Sequence, residues 1–163
     1  MRIRSAQSTD ADAIARIYNP YILNTIVTFE EMPVDANTMA ARIEETAAAG
    51  LPWLVADIDG EVVGYAYASR WRTRSAYRHS VESTVYLATD RVRSGIGSRL
   101  YAQLLNDLTR AGMHAVVGGI SLPNEASVAF HEAHGFVKVA HFSEIGFKLN
   151  RWIDVGYWQR PLP

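Results

Sequence analysis

The chain has 163 residues, 48% of them apolar and 20% charged, with a formal net charge of −1. This is the balance of a globular chain, and the length of one domain (residues 1–163) that can bury roughly two-thirds of its unfolded surface. The near-neutral charge excludes a global field for nucleic acid or anionic lipid. The absence of cysteine excludes disulfides, thiolate metal sites and a cysteine nucleophile.

Residues 2–6 are a strand candidate, followed by possible helix-capping oxygens in Ser8-Thr-Asp10. Ala11, Ile14, Ala15 and Tyr18 keep helical spacing, and Pro20 is expected to stop or kink that helix near Asn19. Ile22 to Glu30 is less regular, with Thr25, Val27 and Phe29 in alternation. Asp35 opens a second helix, with Met39, Ile43 and Ala47 stacked on one face and Gly50 closing it. Two strands follow, Trp53–Ile58 and Glu61–Ser69. Asp59-Gly60 between them is a strong signal for a two-residue hairpin, because a type I′ turn needs positive φ at both central positions.

Arg70 to His79 carries four arginines and no acid. A solvated basic loop is the plain reading; a site for a small carboxylate-bearing molecule is the functional one, since arginine grips carboxylate bidentately. The next strand, Val81–Leu87, puts Glu82, Thr84 and Tyr86 on one face and Ser83, Val85 and Leu87 on the other. It runs into Arg93-Ser-Gly-Ile-Gly-Ser98 and then a helix with Leu100, Leu104 and Leu108 as its apolar stripe. A glycine loop feeding a helix N-terminus favours bound anions, through unpaired N–H groups and the helix dipole. The dinucleotide fingerprint is incomplete, with Leu100 in place of its third glycine, and no P-loop lysine follows.

Ala115–Ile120 is expected to lie parallel to Val81–Leu87, since a helix links them. A helix containing Ser127, Phe130 and His131 ends at Gly135, and strands near Phe136–Phe142 and Asp154–Gln159 flank a loop at 146–152. His131-Glu-Ala-His134 lacks the His-Glu-x-x-His spacing of a zinc helix, so no metal is expected. The pattern is a mixed α/β domain with a central βαβ unit. No run approaches the ~20 apolar residues of a membrane helix, and Met1-Arg-Ile-Arg-Ser5 leads into polar sequence, so a cytoplasmic protein is expected.

The order strand, Arg-x-Gly-x-Gly loop, helix, strand, Pro-Asn, helix resembles the GNAT acetyl-CoA-dependent N-acetyltransferases. Pro52-Trp-Leu-Val-Ala56, Asp59-Gly-Glu61, Glu82-Ser-Thr-Val-Tyr86, Leu122-Pro-Asn124, His131-Glu-Ala133 and Asp154-Val-Gly-Tyr-Trp-Gln159 are similar to the phosphinothricin and methionine sulfoximine/sulfone acetyltransferase group. The resemblance implies a GNAT fold, with a mixed, mostly antiparallel sheet of six to seven strands flanked by about four helices. It implies acetyl-CoA as cosubstrate, a small amine acceptor such as phosphinothricin or methionine sulfoximine, a homodimer, and a role in detoxification, without nucleic acid, membrane or metal.

By the same resemblance, Val85, Tyr86 and Leu87 hold the pantetheine arm through backbone groups. Arg93, Ser94, Gly95, Ile96, Gly97 and Ser98 hold the pyrophosphate, and Asn124 binds near the thioester. Val92 stands where relatives carry Gln or Arg. Glu82 corresponds to the general base, and His131 to the slot of an acid or proton relay. Phe29, Tyr86, Gly119 and Ser121 wall the acceptor, while Arg72, Arg74 and Tyr77 meet its acidic groups, in part across a dimer interface. The absence of a cysteine favours direct transfer over an acyl-enzyme. Other readings are an acetyltransferase for a different small amine, or a non-catalytic acetyl-CoA-binding module.

Overall fold

The computed structural model describes all of residues 1–163. Seven strands form one sheet in the order β1-β2-β3-β4-β5-β7-β6. They are β1 (Arg2–Ser5), β2 (Trp53–Ile58), β3 (Glu61–Arg70), β4 (Ser80–Leu87), β5 (Ala115–Leu122), β6 (Val137–Lys148) and β7 (Arg151–Pro161). The four α-helices are α1 (Ala11–Asn24), α2 (Ala36–Ala48), α3 (Ile96–Arg110) and α4 (Glu125–Ala133). Every neighbouring pair of strands is antiparallel except β4 and β5, which are parallel and linked through α3.

The two faces of the sheet carry separate cores. On one, Leu100, Leu104 and Leu108 of α3 pack fully buried against Val81, Val116 and Ile120. On the other, Ile14, Tyr18 and Ile22 of α1 and Met39 and Ile43 of α2 pack against Trp53, Val55 and Tyr65. Strand alternation therefore sends Val85 and Leu87 towards α3 and Tyr86 towards α1. Asp35 caps α2 by accepting the Thr38 N–H at 2.7 Å, an interaction worth about 1 kcal/mol. Asp59 and Gly60 take φ of 53° and 88°, the two positive values a type I′ hairpin requires.

Three local expectations are corrected. Pro20 does not end α1, which continues to Asn24. The buried stripe Ile14, Tyr18, Ile22 spans the proline and outweighs the one lost helix bond. Asp10 does not cap α1, because its carboxylate accepts from the Arg4 guanidinium and from the Gln7 N–H. The expected loop at 146–152 is instead the end of β6, a tight turn at Leu149-Asn150 with φ of 50° and 59°, and the start of β7. The Ile22 to Glu30 stretch, expected to be less regular, is helical to Asn24 and from Thr25 onward runs as an irregular segment beside the sheet.

Candidate active site

The parallel ladder between β4 and β5 is short. Ser80, Val81 and Glu82 pair with Ala115, Val116 and Val117, and there the pairing ends, although both strands run on for five residues. Beyond Glu82 the strands diverge and leave an open backbone edge. The Ala88 N–H bonds to Val63 on β3, so alternation turns the N–H and C=O groups of Leu87 and Val85 towards the opening. The Leu87 carbonyl accepts the Tyr21 hydroxyl there at 2.7 Å.

At the end of the opening, Arg93 and Gly95 adopt φ of 61° and 79°, which turns the chain into α3. Arg99 is the first residue to bond back to Gly95, so the N–H groups of Ile96, Gly97 and Ser98 have no helical partner. The open strand edge suits the amides of an extended arm, and the N–H cluster suits a diphosphate. The two parts follow one another along the chain, from the β4 edge through residues 93–98 into α3. Asn124 spends its side-chain oxygen on the Ser127 N–H at 3.1 Å, capping α4, and keeps its NH2 donors free.

Glu82, the last paired residue, is half-buried and faces a cavity of about 320 Å³ lined by Val27, Phe29, Gly119, Ser121, Ile145, Val155 and Tyr157. A Cβ at Gly119 would stand 3.0 Å from Glu82 Oε1 and 3.2 Å from the Tyr157 ring, so glycine makes room for both. Burial raises the Glu82 pKa above the ordinary carboxylate value, and the positive charge of Arg72 partly opposes that rise. Burial also raises the pKa of Tyr157, and the Glu82 charge adds to the effect. The Ser121 hydroxyl lies in the cavity wall with no hydrogen-bond partner.

His131 occupies the opposite face of β5. A Cβ at Gly118 would stand 2.7 Å from its Nε2, whereas the next residue, Gly119, abuts Glu82. His131 Nδ1 lies 2.8 Å from the Ser127 carbonyl, so this nitrogen carries the proton and Nε2 holds a lone pair. Burial lowers the His131 pKa despite that bond, which keeps the ring neutral.

The other expected site residues divide. Phe29, Gly119 and Ser121 line the Glu82 cavity. Arg72 stacks on Trp71 at 4.6 Å and shares an adjoining groove with Tyr77; Ile145 and Tyr157 stand between groove and cavity. Arg74 precedes the short helical turn Ser75–Tyr77, is exposed, and does not line this cavity. The Tyr86 ring turns away into an aromatic cluster with Tyr18, Tyr21 and Tyr65. Val27, Ile145, Val155 and Tyr157 went unread in the sequence as cavity residues. Alternation along β7 marks Val155 and Tyr157 as sharing a face, but nothing local marks Ile145. No group of three or more potential metal-ligating side chains is present.

Residues 3–156 match the family described as acetyltransferase (GNAT) domain. The chain is 40% identical over 160 residues to the phosphinothricin N-acetyltransferase of Streptomyces viridochromogenes, covering 98% of this chain and 87% of the relative. It is 38% identical over 162 residues to the L-amino acid N-acyltransferase MnaT of Escherichia coli, covering 99% and 94%. A solved acetyltransferase of Salmonella typhimurium, described with its cofactor acetyl-CoA, superposes with a TM-score of 0.96 at 34% identity, covering 99% of this chain and 94% of that one. The chain belongs to the GNAT acetyltransferase family. It is an acetyl-CoA-dependent N-acetyltransferase, and the open β4 edge with the α3 N-terminus fits that cosubstrate.

Proposed function

We propose that this chain, as one domain of residues 1–163, acetylates the amino group of a small amino-acid-like acceptor such as phosphinothricin or methionine sulfoximine, by direct transfer with Glu82 as general base. The observation that carries this is the half-buried Glu82 carboxylate, which faces an open cavity at the point where β4 and β5 separate. Acetyl-CoA supplies the acetyl group as an activated thioester.

An acceptor amine is an ammonium at neutral pH, and its proton must leave before the nitrogen can attack. Glu82, raised by burial towards the working range, takes that proton directly or through one water. Val85 and Leu87 hold the cosubstrate arm, residues 93–98 its diphosphate, and Asn124 the thioester end. The exposed Arg72 guanidinium in the adjoining groove favours an acceptor that carries oxygen groups besides its amine, because it gains a partner it lacks in the chain. A detoxifying role in the cytoplasm accords with acceptors of this kind. No helix is long and apolar enough to cross a membrane.

His131 is assigned a secondary part. With Nδ1–H tied to Ser127 and a lowered pKa, it must first take a proton at Nε2 before it can pass one to the departing thiolate. His131→Gln is therefore expected to cost kcat about tenfold or less, against the about 10²–10⁴-fold of a resident acid. Saturating steady-state assays read the difference.

The outer hairpin exposes Val139, Phe142 and Ile145 beside the acceptor groove, with Val137, Phe147 and Trp152 also exposed along the same hairpin. A homodimer that covers it explains that exposure. Sedimentation is expected to return twice the 18.1 kDa chain mass, and a monomer at micromolar concentration contradicts the assignment.

Thiol release from acetyl-CoA tests the function across phosphinothricin, methionine sulfoximine, ordinary amino acids and polyamines. Turnover centred on amino acids bearing further oxygen groups supports the reading. Turnover confined to polyamines or other neutral-tailed amines keeps the fold and discards the acceptor class.

A further inference from the structure

β6 does not run straight past the cavity. Its register against β7 slips between Phe142 and Gly146, so Ser143, Glu144 and Ile145 leave the ladder as a bulge. Bulges re-aim side chains beside active sites. This one turns Ile145 into the cavity wall and sets Gly146 against the Phe29 ring, where any Cβ would overlap the ring. The wall that faces an acceptor side chain is thus built by the bulge as much as by the 25–34 segment.

The bulge holds an unfavourable backbone state. Glu144 has φ of 51°, in the left-handed region that a side chain other than glycine enters at a cost. Across the hairpin, Asp154 on β7 compensates. One carboxylate oxygen accepts the Glu144 N–H at 2.8 Å and the other accepts from His141 Nε2 at 2.7 Å. These bonds, the one from Glu144 first, hold the Asp154 carboxyl below its ordinary value, so it is ionised at neutral pH. Asp154 is not among the residues lining the Glu82 cavity.

We infer that Asp154 is a positioning residue for acceptor recognition: its carboxylate clamps the β6 bulge and so fixes the Ile145 and Phe29 walls of the cavity. The inference rests on this cavity being the acceptor site. It concerns which acceptor fits, and adds nothing to proton transfer. Without the clamp, Glu144 relaxes towards ordinary extended backbone, Ile145 swings from the wall, and Phe29 loses the flat surface over Gly146.

The test is a steady-state series with the best acceptor from the thiol-release panel. Asp154→Ala is expected to raise the acceptor KM about tenfold, the scale of one lost charge-assisted hydrogen bond, with acetyl-CoA KM and saturated kcat unchanged. Glu144→Gly alone leaves all three near wild type. Added to Asp154→Ala, it restores the acceptor KM, because glycine enters the left-handed region without cost. A merely structural Asp154 would lower the melting temperature and depress kcat with both substrates, and Glu144→Gly would rescue neither. Phe29→Ala separates the two levels. If Phe29→Ala leaves the acceptor KM unchanged, the cavity is not the acceptor site and the underlying reading fails. If Phe29→Ala raises the KM and Asp154→Ala does not, the clamp alone is overturned.

Discussion

Glu82→Gln is expected to lower kcat by about 10²–10⁴-fold while both KM values stay within a few-fold of wild type, since the amide keeps the shape and loses only the proton acceptor. The wild-type acceptor kcat/KM should also fall on the acid side through the raised Glu82 pKa, above the ordinary carboxylate range, and the variant should lack that limb. Stability gives an independent check with its own sign. A raised folded-state pKa means that folding favours the protonated carboxyl. That contribution is complete below the unfolded pKa and lost as pH rises through the folded one. At neutral pH the ionised Glu82 therefore costs stability, and Glu82→Gln should melt at or above the wild-type temperature. An inactive variant that also melts lower would make Glu82 a structural residue; a fully active one would remove it as the base.

The second large effect is expected at the helix N-terminus. Gly95 precedes α3 at φ of 79° with open space around its Cα. Gly95→Asp puts a carboxylate where it can accept the free N–H groups of α3, so it competes for the site assigned to the diphosphate. Aspartate tolerates the left-handed region and its capping bond offsets part of the strain, about 1 kcal/mol in each direction, so folding should be nearly unchanged. Acetyl-CoA KM should rise about 100-fold or more from like-charge repulsion, with the acceptor KM unaffected. Gly95→Asn supplies the neutral control. If Asn and Asp act alike, backbone geometry rather than charge is responsible; if neither acts, the diphosphate binds elsewhere.

Features set by neighbouring residues could be read from the sequence. The Asp59-Gly60 hairpin, the Asp35 cap, the Leu100, Leu104, Leu108 stripe and the glycine entry to α3 depend on a few adjacent positions, and each occurs as expected. The shared face of Glu82, Thr84 and Tyr86 followed from alternation, but what that face meets did not. Glu82 finds Gly119 and an acceptor cavity, whereas Tyr86, four residues on, finds the α1 tyrosines. That difference comes from strands β5 and β7, more than thirty residues away.

Pro20 was misread because a local helix-breaker was outweighed by tertiary burial of Ile14, Tyr18 and Ile22. The 146–152 segment was misread because Leu149-Asn150 makes a tight turn without glycine. Ile145 stayed hidden for a third reason: three residues, Ser143 to Ile145, stand opposite Asp154 alone, so alternation does not say where Ile145 points, and only the partner strand reveals it. Glu82 and His131 were both singled out, yet their separation onto opposite faces of β5 rests on which way Gly118 and Gly119 point, which only the folded register fixes.

The most direct measurement is a crystal structure of the chain with coenzyme A and an acceptor from the active part of the panel. The acceptor nitrogen should stand in the cavity bounded by Phe29, Gly119 and Tyr157, bonded to Glu82 directly or through one water, with the thiol approaching through the gap between β4 and β5. An acceptor nitrogen held elsewhere, with Glu82 facing only solvent or protein, would contradict the assignment of both base and cavity.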